Sequence, residues 1–187
     1  ESTNRTEPVQ YGANAGGLVS DSLANAIAAF TKTKYGVNVG AFDNYDIYSK
    51  STKVFNRFDW NINDNNQLTV RNNTVFSEAT NLERDLANFR FASMDFKQNN
   101  NQNSTVLELR SHYGKTSNSL ILGYSDIHDY RTPLSGNNST PQVEIAYNGG
   151  TIFLGNDREA TVFNMKQKTT EFTDNFNFSL GNHNILI

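Results

Sequence analysis

The chain has 187 residues, a formal net charge of −3 and no cysteine. That length accommodates one domain or two small ones. The charge argues against nucleic-acid binding through bulk electrostatics, and the missing thiols exclude a disulfide framework and a thiolate metal site. Apolar residues make up 36% and aromatic residues 12%. Asn is used at roughly 15%, against average usage that favours Leu, Ala and Gly. No run of about 18 apolar residues supports a transmembrane helix. A β-barrel needs only alternation and stays open. The chain opens at Glu1 with no Met or signal peptide and ends on Asn184-Ile185-Leu186-Ile187, an apolar run that reads as a strand cut short. The expectation is an excised fragment of a longer protein.

Residues Glu1 to Ala15 are polar, show no periodicity and read as irregular. From Ser20 the pattern changes. Ser20 or Asp21 can cap a helix, and Leu23, Ile27 and Phe30 recur at helical spacing. Lys32 and Lys34 suit the C-terminal end of the dipole, and Gly36 can stop the helix. The spacing predicts one short amphipathic helix over residues 21–33. Residues Val37 to Ser49, punctuated by Gly and Tyr, read as loop.

The clearest pattern runs from Lys53 to Phe76. Val54, Asn56, Phe58, Trp60 and Ile62 share one face of a strand, mostly apolar, while Lys53, Phe55, Arg57, Asp59 and Asn61 share the other, mostly charged or amide. Asn63 to Asn66 supply turn chemistry, because Asn and Asp bond their own backbone. The return arm repeats the split, with Leu68, Val70 and Phe76 opposite Thr69, Arg71 and Asn73. A soluble sandwich would bury the apolar face; a membrane barrel would turn it to lipid.

Ser77 to Asn103 is long and polar; Phe89, Phe91 and Phe96 are candidates for a short strand, with the Asn cluster as its turn. Thr105 to Tyr113 alternates again, with Leu107 and Leu109 opposite Glu108, Arg110 and His112. Gly114 to Asn118 make a turn, and Ser119 to Tyr130 returns with Leu120, Leu122 and Tyr124 together. Arg131 to Lys168 is a second long stretch, with strand-like pieces at Val143–Ile145 and Thr151–Leu154. Thr169 to Leu180 sets Phe172, Phe176, Phe178 and Leu180 against Glu171, Thr173, Asn175 and Asn177. Gly181 to Asn184 turns into the last strand.

The connections thus run short, long, short, long, short. Loops of this length are uncommon in compact soluble domains, whereas outer-membrane barrels join strands by short periplasmic turns and long extracellular loops. The predicted strands have about 9–12 residues, the length of a tilted membrane strand. Trp60, Tyr113 and Phe178 lie near short turns, where an interfacial aromatic girdle would sit. Two features fit a membrane face poorly: Asp126 and His128 continue the face of Leu120 and Tyr124, and Asp174 lies between Phe172 and Phe176, where it needs a bulge or a neighbouring partner. The expected fold is therefore all-β: antiparallel up-and-down strands, long loops and one short helix, forming a segment of a large outer-membrane β-barrel. Residues 1–50 are expected to be an extracellular loop with the helix. Residues 51–187 are expected to hold about five strands with two long extracellular loops.

The segments NRFDWNINDNNQLTVRNN, STVLELRSHYG, LILGYSDIHDYRTP and GGTIFLGNDREATVFNMKQKTTEFTDNFNFSLGNHNI resemble TonB-dependent outer-membrane receptors. The likeness is greatest to the Oar-like branch, whose members begin with a carboxypeptidase-regulatory-like domain. It covers residues 51–187 well and the first fifty weakly. The resemblance implies a Gram-negative outer-membrane location, a barrel of 22 strands around a plug, and import of a solute energised by the TonB complex through an N-terminal region that this sequence does not contain. Its implied partners are outer-membrane lipid and an unidentified transported ligand, with no nucleic acid and no cofactor.

Within that reading, Arg57, Asp59, Arg71, Glu108, Arg110 and Glu171 are candidate lumen-facing residues. The simpler account of them is cross-strand charge pairing, worth about 0.2–1 kcal/mol per pair. Phe58, Trp60, Leu68, Val70, Leu107, Leu109, Leu120, Leu122, Phe176 and Phe178 are candidate lipid-facing residues. His112, His128 and His183 are scattered, with none at metal-ligand spacing. Asn156-Asp157-Arg158-Glu159 lacks the alternating acids of a calcium loop and reads as a solvated turn. Neither a catalytic triad nor a phosphate-cradling glycine loop is present, so an enzyme is not expected. The competing class is a soluble all-β binding or adhesion module of sandwich type.

Overall fold

The computed structural model describes residues 2–7, 17–42, 45–81, 87–135 and 140–187. Ten strands and two α-helices follow in the order β1 (Ser2–Glu7), α1 (Asp21–Tyr35), β2 (Tyr45–Asn63), β3 (Asn66–Asn81), β4 (Asn88–Arg90), β5 (Phe96–Tyr113), β6 (Thr116–Pro133), β7 (Val143–Tyr147), β8 (Gly150–Leu154), α2 (Arg158–Val162), β9 (Asn164–Leu180) and β10 (His183–Leu186). The strands form a seven-stranded sheet, ordered β1-β2-β3-β5-β6-β9-β10, and a three-stranded sheet, ordered β4-β8-β7. The fold is all-β, mostly antiparallel, with one short helix besides the single turn of α2.

In the large sheet three connections are two-residue hairpins, at Asp64-Asn65, Gly114-Lys115 and Gly181-Asn182. Gly114 and Gly181 have φ of 60° and 61°. Each is the first central residue of its turn, where a type II′ hairpin requires positive φ and so glycine. At the first hairpin the side chain of Asn63 does the work: its Oδ1 accepts from the Asn65 N–H at 3.0 Å and from Asn66 Nδ2 at 2.8 Å.

The long strands exceed expectation, at 16 to 19 residues. The two stretches read as long loops are therefore largely strand at their ends. The Asn cluster at 99–103, read as a turn, lies inside β5. Its amides are used across the sheet: Asn99 Nδ2 donates to Thr132 Oγ1 at 3.2 Å, and Asn103 Nδ2 to Thr74 Oγ1 at 2.8 Å. Cross-strand partners thus override the local turn preference of Asn. The N-terminal segment read as irregular contributes β1, paired antiparallel with β2 from Ser2↔Lys50 to Glu7↔Tyr45. The rest of that segment, residues 1 and 8–15, lies outside the described residues. The 37–49 loop is cut short, because β2 begins at Tyr45; residues 43 and 44 lie outside the described residues.

The described chain divides into two compact units. The first comprises Glu1–Ser51, Ser77–Asn99 and Asp129–Asn164. Helix α1 runs one turn-fraction past its expected end. Ser20 caps it, accepting from the Leu23 N–H, and Gly36 ends it in the left-handed conformation. Ala24 and Thr31 are its buried residues, with Leu23, Ile27 and Ala28 packed beside them. Phe30, expected on this face, is exposed and meets Tyr35 edge-on at 5.8 Å. The two alanines permit close approach to the core, and the Thr31 hydroxyl is satisfied by the Ile27 carbonyl at 3.0 Å. The core joins Val19, Val39, Phe89, Phe91, Ile152 and Leu154. Phe89 and Phe91 meet edge-on at 5.0 Å, a favoured aromatic geometry. Strand β8 pairs parallel with β4 and antiparallel with β7, through a turn at Asn148-Gly149 in which both residues have positive φ. The stretch read as a solvated turn at 156–159 starts α2: Asp157 caps it, accepting from the Ala160 N–H at 2.8 Å, and buried Asn156 accepts from Ser135 Oγ at 2.6 Å.

The second unit comprises Thr52–Phe76, Asn100–His128 and Met165–Ile187. It carries the three two-residue hairpins of the large sheet. Every buried apolar side chain of the described residues belongs to the first unit; here the buried side chains are Thr69 and Glu108.

Candidate functional site

Strand alternation gives the second unit two unlike faces. On one, Arg57 and Asp59 of β2 form a fork at 2.8 and 3.0 Å, and Asp59 accepts a third bond from Thr69 Oγ1 of β3 at 2.7 Å. Beside them Glu108 of β5 is a hub. Its carboxylate meets Arg71 of β3 at 3.3 Å, Arg110 at 2.7 Å and Ser119 of β6 at 3.2 Å. Glu108 is only 6% exposed. A buried carboxylate is tolerable only with charged partners and filled lone pairs, which these three groups supply. Five of the six polar residues singled out from the sequence thus enter two hydrogen-bonded clusters. The sixth, Glu171 of β9, lies against Gly123, where a Cβ would stand 3.6 Å from its own. Thr69 and Ser119 were not singled out. Their signal in the sequence was only their position on the polar side of each alternation.

The opposite face carries all ten candidate lipid-facing residues. Phe58, Trp60, Leu107, Leu122 and Phe176 are exposed, Phe58 and Trp60 to 61% and 54%. Leu68, Val70, Leu109, Leu120 and Phe178 are half-buried. Tyr113 stands at the turn end of this face, its hydroxyl accepting from Asn66 Nδ2 at 2.7 Å, and Asn66 Oδ1 accepts from Ser111 Oγ at 2.7 Å. An aromatic body with its polar tip held at the strand end is the arrangement an interfacial ring requires.

Away from the turns the same face becomes polar. Asn72 of β3 donates to Thr105 Oγ1 of β5 at 2.9 Å. Asp126 of β6 meets Lys168 of β9 at 3.8 Å. Asp126 and His128, which interrupt the apolar alternation in the sequence, therefore belong to a polar zone on the part of the strands away from the two-residue turns. Asp174 is exposed on the apolar face between Phe172 and Phe176.

At the turn end of the polar face lies a cleft of about 830 Å³, walled by Asn61, Asn175 and Asn177 with Arg110 and His112. Asn118 Oδ1 on β6 is buried without a protein partner. His112, His128 and His183 stay apart on β5, β6 and β10. Among the described residues no group of three or more His, Cys, Asp or Glu is placed to hold a metal ion. No helix among them is long and apolar enough to cross a membrane, a statement that does not bear on crossing by strands.

No family model, no curated protein and no solved structure matches the chain.

Proposed function

We propose that this chain is part of a TonB-dependent outer-membrane receptor of the Oar-like branch, which imports a solute not yet identified, and that it has no catalytic role of its own. One observation carries the reading. In the second unit the buried side chains are polar, Thr69 and Glu108, while Phe58, Trp60, Leu122, Phe176 and Leu180 are exposed. That is the reverse of a water-soluble sheet, in which the apolar face is covered. It fits a sheet with lipid on one side and a polar lumen on the other. A sandwich would place a second sheet over Phe58, Trp60 and Leu122, and nothing in the described chain covers them.

Strand length fits the same reading. The 17 residues of β9 rise about 40 Å at roughly 3.4 Å per residue and a 45° tilt. The apolar band of such barrels is about 25 Å tall, so these strands would project beyond it. The proposal puts the two-residue turns of the large sheet in the periplasm and the long connections, with the β7–β8 turn among them, outside the cell. Its partners are outer-membrane lipid, the transported solute and, through the N-terminal region of the parent protein, the TonB complex.

Impermeant maleimide labelling of whole cells tests the orientation, because the chain has no cysteine of its own. Asn148→Cys, in the exposed β7–β8 turn, is expected to react. Asn65→Cys, in the β2–β3 hairpin, is expected to react only after the outer membrane is permeabilised. Reversed labelling would contradict the orientation.

A further inference from the structure

The polar zone on the outward face of the second unit holds an open cleft of about 510 Å³, lined by Phe76 and Tyr124 together with Asp126, His128, Lys166 and Lys168. Its formal charge is +1 with His128 neutral, in a chain whose net charge is −3. Bulk electrostatics would therefore repel an anion that this cleft attracts. The Lys168–Asp126 pair is open, at 3.8 Å with side chains 66% and 40% exposed. Such exposed pairs are worth little, so Lys168 is free to meet a second anion.

Depth gives the ligand class. Lys168 lies twelve positions from Leu180, the outward residue at the β9–β10 turn. At about 3.4 Å per residue and 45° tilt that is roughly 29 Å along the normal. The distance is just beyond an apolar band about 25 Å tall. If Leu180 marks one edge of the band, Lys166 and Lys168 stand at the headgroups of the opposite leaflet, with Phe76 and Tyr124 against the upper acyl chains. Long basic side chains at that level reach to phosphate while their stems stay in apolar surroundings.

We propose that the Lys166/Lys168 cleft binds the phosphate of an anionic lipid headgroup. This rests on the reading of the outward face as lipid-facing.

The test is flotation of the full chain, diluted from detergent, with vesicles of phosphatidylcholine alone or containing one quarter phosphatidylglycerol (a fraction of about 0.25, enough to charge the surface). The chain is expected to enter neutral vesicles, and anionic lipid is expected to raise partitioning about tenfold. Lys166→Gln/Lys168→Gln should lose that gain and keep neutral partitioning. Lys32→Gln/Lys34→Gln, which removes the same charge from α1, should keep the gain. Millimolar inorganic phosphate should leave it in place. A gain that survives in the Lys166/Lys168 variant, or falls equally in the Lys32/Lys34 variant, would overturn the site. Loss of the gain to inorganic phosphate would assign the cleft to a free anion and overturn the lipid ligand. Uptake by neutral vesicles with no anionic gain overturns this inference alone; no uptake by any vesicle overturns the lipid-facing reading together with it.

Discussion

Asp95→Asn is expected to stabilise the chain progressively as pH rises from about 4 to 8. Asp95 lies between the helical turn Ala92–Met94 and β5, and it is 3% exposed. Burial, reinforced by the negative charge of Asp157, pushes its carboxyl up from 3.8 to about 8. Asp157 itself is committed to capping α2 and to a 3.9 Å contact with Arg90. A carboxyl whose pKa is raised by folding binds its proton more tightly in the folded state. Its contribution is complete below the unfolded value near 4 and is lost as pH rises through about 8. At 1.36 kcal/mol per unit the loss is on the order of 5–6 kcal/mol across that window. Asn keeps the shape and cannot ionise. The variant should match the wild type near pH 4 and exceed it most near pH 8. Urea unfolding of both proteins at a series of pH values gives the difference directly, free of the titration of shared groups. A difference that does not change with pH would mean that Asp95 is hydrated or paired in the folded chain.

Leu122→Arg separates a membrane sheet from a soluble one. Leu122 of β6 is 43% exposed on the outward face. In water, an arginine at so exposed a position changes stability by about 0.5 kcal/mol or less. Against hydrocarbon the same change costs about 2–4 kcal/mol near the midplane. On the proposed reading, reversible unfolding of the protein in lipid vesicles, wild type against variant, should show the larger loss. Ser117→Arg, on the polar side of the same strand and near its turn, is the control and should cost less. Equal effects would show that the two faces do not meet lipid and water respectively.

What could be read from the residues follows the range of the interactions. The three hairpins were legible because turn chemistry is local: Asn63 to Asn66, Gly114 and Gly181 carry it in their own side chains or lack of one. The helix was legible for the same reason, with Ser20 at one end and Gly36 at the other. The short strands at Val143 and Thr151 stood out as brief β-branched and apolar pieces. Strand length was not legible. Asn99 to Asn103 reads as a turn by composition, and only partners on β3 and β6, brought alongside by the fold, make it strand. The face of α1 was legible in part: Leu23 and Ile27 pack against the core as their spacing predicts, while Ala24 and Thr31 are buried and Phe30 is exposed.

The candidate site was legible as a list of faces and not as a network. Period-two alternation sorted Arg57, Asp59, Arg71, Glu108 and Arg110 onto one side. It could not show that Glu108 is buried with three partners while Arg57 is half-exposed. Register decides that, because it fixes which residues of β3, β5 and β6 stand opposite one another. Asp126 and His128 looked like faults in an apolar face. They fit once β6 is seen to run on to Pro133, far enough to carry a polar zone beyond the apolar one.

Trp60 is the sole tryptophan, and it stands exposed on the outward face of β2. It therefore reports the environment of that face without a label. The most direct test of lipid contact is its fluorescence in vesicles whose acyl chains carry bromine, compared with unbrominated vesicles. Strong quenching by brominated lipid, with little quenching by aqueous iodide or acrylamide, is the predicted result. Emission untouched by bromine and quenched freely from the water would contradict a lipid-facing sheet.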